Sequence, residues 1–144
     1  MAERYLKSLR LLAECMQGFD KFASDFVRQY GLTHAQFDII ATLGNTCGMP
    51  YKELGQKTLI TKGTLTGVVE RLEQKGLVVR ERCNKDMRSY SVRLSCEGEQ
   101  VFHDVFPELT KRGQHLFDGY TEDDFMRLET TLAELKHAIA NGHN

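Results

Sequence analysis

The strongest constraint in this sequence is a run of apolar residues at Leu6, Leu9, Leu12, Met16, Phe19, Phe22, Phe26 and Tyr30. Steps of three and four keep one face of an α-helix apolar from residue 6 to residue 30. At 1.5 Å per residue such a helix is about 37 Å long. It is longer than the radius of a small domain, so its own short neighbours cannot cover the whole stripe. The run therefore predicts either a long core helix or one that helps build an interface with a second copy. No proline interrupts it, and Gly31 supplies a stop just beyond.

The same spacing recurs in shorter pieces. Thr33 suits the N-cap of a helix through Phe37, Ile40, Ala41 and Leu43, ended by Gly44 and Asn45. Residues 45–50 read as a turn. Pro50 falls at a first helical position, opening a short helix from Tyr51 to about Lys57. Thr61 is a further N-cap candidate, ahead of Leu65, Val68, Val69 and Leu72, and Lys75-Gly76 closes that helix. After Gly76 the period changes. Residues 77–82 and 90–94 are β-rich, and the polar stretch 83–89 between them reads as a hairpin loop. Ser95 opens another helix, in which Pro107 should force a kink or break near Asp104 and Val105. Thr121, followed by three acids, caps a final helix carrying Phe125, Leu128, Leu132, Leu135 and Ile139. The tail from Asn141 is polar.

With 144 residues, 41% hydrophobic and 27% charged, the chain has material for one domain with a real core. No apolar stretch approaches the ~20 residues of a membrane span. The first residues lack a basic segment followed by an apolar block, so neither a membrane partner nor a secretory signal is expected. Cys15, Cys47, Cys83 and Cys96 form no C-x-x-C pair, which favours reduced thiols and a cytoplasmic location. His103 and His115 are not at i, i+4 spacing, so no metal site is argued, and no cofactor is expected.

A net charge of −1 argues at first against a nucleic-acid partner. The total hides a segregation. Residues Lys52 to Arg93 hold ten basic and five acidic side chains, a net +5, and the remainder carries −6. A basic module between acidic helices suits a unit that binds double-stranded DNA, joined to a separate assembly unit. Within it, a short helix, a brief turn and a second helix fit a helix-turn-helix, whose second helix offers its N-terminal residues to base edges. Lys62, Gly63, Thr66 and Gly67 share an outward face, while Leu65, Val68, Val69 and Leu72 face the core. The hydroxyls and methyls of Thr61, Thr64 and Thr66 suit phosphates, bases or a thymine methyl, and the two glycines permit close approach. Lys85 and Arg88 lie on the hairpin tip, with Arg82 and Arg93 on its arms, as minor-groove insertion requires. Asp86 would repel phosphate if free, so it is expected to hold either Arg71 or Arg88 through a charge-assisted bond.

These residues resemble the MarR-type winged-helix transcriptional regulators from Leu6 to Ile139. The resemblance is carried by Thr61-x-x-Thr64-Leu65-Thr66-x-x-Val69-Glu70-Arg71-Leu72-Glu73-x-x-Gly76-Leu77-Val78-x-Arg80, then Asp86-x-Arg88 and Val92-x-Leu94-Ser95-x-x-Gly98. It implies a mainly α fold with a small β-hairpin wing: a winged helix-turn-helix over 33–95, and N- and C-terminal dimerisation helices over 1–32 and 96–144. It further implies a homodimeric repressor on a pseudo-palindromic operator. Thr61, Lys62, Thr64 and Thr66 would be recognition-helix contacts, and Arg88 the minor-groove arginine. Gly67 departs from the family, which often carries a larger polar or basic side chain there.

The resemblance also implies a small aromatic or phenolic effector, held among the first, second and fifth helices. An alternative is thiol-based redox sensing through Cys15, against which stands a buried structural thiol. A rival from another class is a cysteine-dependent enzyme with Cys96 as its helix-start nucleophile. No G-x-S-x-G, H-E-x-x-H or Gly-rich phosphate loop accompanies it, so the expectation is that the chain is no enzyme.

Overall fold

The computed structural model describes residues 3–83 and 86–142, with the side chains of Lys62, Cys83 and residues 86–89 outside that description. The chain forms two compact units, Met1–Leu109 and Thr110–Asn144.

In the first unit, α1 (Arg4–Val27) ends in a 3₁₀ turn (Arg28–Tyr30), with Gly31 left-handed at φ 73°. Only its last part is packed, through Ala23, Phe26 and Val27. Leu6, Leu9, Leu11, Met16 and Phe19 remain exposed, so the helix outruns the core as its spacing predicts. α2 (His34–Leu43) opens on a capping box: the Gln36 N–H donates to Thr33 Oγ1, and the Thr33 N–H donates to Gln36 Oε1, each at 3.1 Å. α3 (Tyr51–Thr58) and α4 (Lys62–Gln74) follow. Phe37, Ile39, Ile40 and Leu43 of α2 meet Leu54 of α3 and Leu65, Val69 and Leu72 of α4 in one buried cluster. Val78, Val92 and Leu94 of the sheet close it, with Phe102 and Val105 of α5 (Cys96–His115). Each such side chain contributes about 1.5–3 kcal/mol on burial.

The sheet has three antiparallel strands, β1 (Met49–Pro50), β2 (Val78–Cys83) and β3 (Asp86–Leu94), in the order β1-β3-β2. Three expectations need correction. Met49 and Pro50 are not turn residues: they pair with Val92 and Ser91, and Pro50 stands as the N-cap of α3 rather than inside it. A two-residue strand held by a partner forty residues away leaves no periodic trace. The hairpin loop is also shorter than 83–89. Arg82 pairs with Tyr90 and Cys83 with Asp86 across a register irregularity, which draws the polar residues 86–89 into β3. Ladder bonds join backbones, so polar side chains do not end them. Finally, of the kink or break expected at Pro107, the break does not occur: α5 is continuous from Cys96 to His115. Pro107 and His103, four residues before it, are both exposed, where water can replace the lost donor.

Gly98 marks a close approach, since a Cβ there would lie 2.0 Å from the Leu77 carbonyl oxygen. The second unit holds the end of α5 and α6 (Glu122–Asn141). Phe117, Tyr120 and Phe125 cluster there, with centroids 5.2–5.8 Å apart. Leu128, Leu132 and Ile139 of α6 are exposed.

Candidate nucleic-acid interface

The turn between α3 and α4 is made by Thr58 and Leu59. Thr58 Oγ1 donates to the Leu54 carbonyl at 2.7 Å and accepts from the Ile60 N–H at 3.4 Å. Leu59 takes a left-handed backbone, φ 61°, and its N–H reaches the Gly55 carbonyl. Thr61 occupies the N-cap of α4, but its hydroxyl donates to Thr64 Oγ1 at 3.2 Å instead of accepting from a backbone N–H. The first amides of α4 therefore have no side-chain cap and are free to face an anion.

Along α4, Leu65, Val69 and Leu72 are buried, whereas Thr61, Gly63, Thr64, Thr66, Gly67 and Arg71 are exposed. The structure thus brings these six candidate residues together on the helix and the cap before it. Lys62 begins α4, but its side chain lies outside the described residues. A Cβ at Gly63 or Gly67 would meet nothing within 4 Å, so the surface there is open. Arg71 bonds to no described side chain.

On the hairpin, Arg82 is exposed on β2, and its Nε donates to the Tyr90 hydroxyl at 3.3 Å. Arg93 is tied to Glu81 across the two strands, at 3.1 and 3.2 Å. Lys85 lies outside the described residues. Asp86 and Arg88 contribute backbone to β3, but their side chains lie outside the description, and so does the expected bond from Asp86 to Arg71 or Arg88.

One cluster joins residues that the motif contains but does not pair. Arg80 of β2 reaches Glu73 at 3.2 Å and Glu70 at 3.9 Å, both on α4. Its guanidinium lies 4.8 Å from the centroid of Tyr90, whose ring stands 6.0 Å from that of Tyr51 at the start of α3. The Tyr51 hydroxyl is buried without a hydrogen-bond partner among the described residues, although Arg80 is its neighbour. Burial pushes that hydroxyl above its ordinary range, against the opposing pull of Arg80. The signal was present in the sequence: Gly76 reverses the chain at the end of α4, which lays residue 80 back along residues 70 and 73.

Cys15 is exposed on α1, not buried as a structural thiol would be, and Cys47 and Cys96 are exposed as well. Among the described residues no group of three His, Cys, Asp or Glu could hold a metal, and no helix is long and apolar enough to cross a membrane.

A family model described as the MarR family matches residues 32–90. The solved transcriptional regulator PA4135 is 30% identical, with TM-score 0.75, over 90% of this chain and 95% of that one. The chain belongs to the MarR family. The HTH-type transcriptional regulator MhqR of Bacillus subtilis is 27% identical to this MarR-family chain, over 86% of each. NadR, solved in complex with 4-hydroxyphenylacetate, is 27% identical, with TM-score 0.68, over 85% of this chain and 89% of that one. As a MarR-family member the chain is a winged-helix, DNA-binding transcriptional regulator. Its relatives are regulators and not enzymes, which sets the cysteine-dependent enzyme aside.

Proposed function

We propose that this chain is a repressor that reads a pseudo-palindromic operator in double-stranded DNA as a homodimer, inside the cytoplasm. Residues 33–95 form the DNA-binding region, and the helical segments 1–32 and 96–144 assemble the dimer. The observation that carries the reading is the outward row Thr61, Gly63, Thr64, Thr66, Gly67 and Arg71 on α4, set in a module of net +5. Its small side chains and uncapped amides suit entry into a major groove, with Lys62 beside them. Arg82, Lys85, Asp86 and Arg88 form the wing that follows the minor groove.

The exposed apolar faces of α1 and α6 support the homodimer, because a second copy would remove both from water. A dimer seated on a promoter excludes other proteins from it, hence repression. A small aromatic or phenolic acid is the proposed effector, supported by the 4-hydroxyphenylacetate complex of NadR.

Selection of genomic fragments with the purified protein, followed by footprinting, tests this reading. Two protected half-sites with centres about 10–11 bp apart are expected. A single asymmetric contact region would refute the two-fold arrangement. Aromatic acids should release the bound fragments if the effector is of that class.

A further inference from the structure

We infer that Arg80 is a positioning residue that locks the wing to the recognition helix, so that the two reach DNA as one body. The inference rests on the DNA-reading role of α4 and the hairpin. Arg80 stands where three elements meet. Its Nη2 and Nη1 face Glu73 and Glu70 of α4 at 3.2 and 3.9 Å, and its guanidinium covers the ring of Tyr90 on β3 at 4.8 Å. That ring in turn packs on Tyr51, the first residue of α3, at 6.0 Å.

Three features separate this role from a DNA contact. Only 24% of the Arg80 side chain is exposed, against about half or less for each of its carboxylate partners (51% and 39%). Two carboxylates offset its charge, and a phosphate would have to displace them. An aromatic ring lies against its guanidinium, the arrangement that holds a planar guanidinium in one orientation.

The same ring links the cluster to the wing. Tyr90 pairs with Arg82 in the ladder, and its hydroxyl accepts from Arg82 Nε at 3.3 Å. A chain of contacts therefore runs from Glu70 and Glu73, through Arg80 and Tyr90, to the arm that carries the hairpin tip. On the same helix, Arg71 is exposed and lies between Glu70 and Glu73 in sequence, although it leaves α4 in another direction from theirs. Rotation of the helix would move Arg71 and loosen the Arg80 bonds together.

The test is a double-variant cycle in DNA binding. Arg80→Met keeps an apolar stem under Tyr90 and removes the paired charge. Its expected effect is a loss of affinity of about tenfold, with the dependence of binding on salt unchanged, because no phosphate contact disappears. Arg88→Ala should lower both affinity and the salt slope, the latter by about 1 per contact. In the double variant the losses should combine to less than their product, since an unlatched wing gains less from its arginine. Glu73→Gln, which alters only one end of the latch, should reproduce part of the Arg80→Met loss and serves if that variant fails to fold. A fall in salt slope for Arg80→Met would make Arg80 itself a phosphate contact and overturn the inference. Losses that multiply in folded proteins would reduce it to a fold-stabilising residue. Failure of the unaltered chain to bind any duplex would overturn the DNA-reading role first, and this latch with it.

Discussion

Leu59 holds a left-handed backbone, φ 61°, while 87% of the residue is exposed. Such a conformation costs a non-glycine residue about 1–2 kcal/mol, and an exposed side chain returns little by packing. Glycine removes that strain but loses about 0.5–1 kcal/mol through a more flexible unfolded chain. The strain is the larger effect, so Leu59→Gly should raise stability by about 0.5 kcal/mol, read as a higher urea midpoint with unchanged slope. A lower midpoint would mean that Leu59 packs more tightly than its exposure indicates. Tyr51 poses the opposite question. Among the described residues its hydroxyl is buried without a well-formed hydrogen bond, with Arg80 beside it, yet its ring packs on Tyr90. Tyr51→Phe keeps the ring and removes the unsatisfied group, so denaturant unfolding should show no loss and a gain of up to about 1 kcal/mol. A clear loss would reveal a bond that an Arg80 N–H donates to that hydroxyl.

At the scale of elements, the start of α6 is the clearest case of sequence dictating structure. The Asp124 N–H donates to Thr121 Oγ1 at 3.2 Å, and Asp124 Oδ2 accepts from the Thr121 N–H at 2.9 Å. That backbone bond, then those from Arg127 and the Thr121 hydroxyl, hold the Asp124 carboxyl below its ordinary value of 3.8. A carboxylate lowered by folding adds stability that is present above 3.8 and disappears as the pH falls toward its folded value. Protection from amide exchange at the first turn of α6, taken relative to the intrinsic rate at each pH, should therefore fall as the pH drops below 3.8, and Asp124→Asn should abolish that step. A first turn indifferent to pH would refute the linkage. The six α-helices among the described residues were legible because capping residues and apolar spacing are local signals: Thr33, Thr121 and the stop at Gly31 can be read in place. β1 was not, because Met49 and Pro50 become a strand only when Val92 and Ser91 arrive beside them. The length of β3 and the passage of α5 through Pro107 depend on backbone pairing and on which side meets water. The candidate site divides in the same way. The outward face of α4 follows from its period, whereas the Arg80 cluster needs the reversal at Gly76 before Glu70, Glu73 and Arg80 become neighbours.

At the scale of the whole molecule, two properties of the bulk sequence oppose each other. The apolar residues Leu128, Leu132 and Ile139 on α6 are exposed, which a solitary chain has no reason to keep. Leu132→Glu should leave each chain folded and yield monomers by sedimentation, with two-half-site DNA binding lost; a stable dimer would place the interface elsewhere. The net charge of −1 suggests in turn a chain with little attraction for a polyanion. Attraction is set by the charge that faces the duplex, however, and Lys52 to Arg93 carry +5. Acidic helices farther than a Debye length, about 8 Å at physiological salt, contribute little at that surface. Binding should therefore weaken steeply as salt rises, despite the negative total. Arg71 is the cleanest probe, being exposed on α4 and bonded to no described side chain. Each phosphate contact adds about 0.9 to the slope of log K against log salt. Arg71→Ala should thus flatten the slope by about 2 in a dimer, one contact from each copy, and weaken binding to all sequences alike. An unchanged slope would remove Arg71 from the phosphate contacts. A loss confined to one base pair of the operator would assign it to base reading instead.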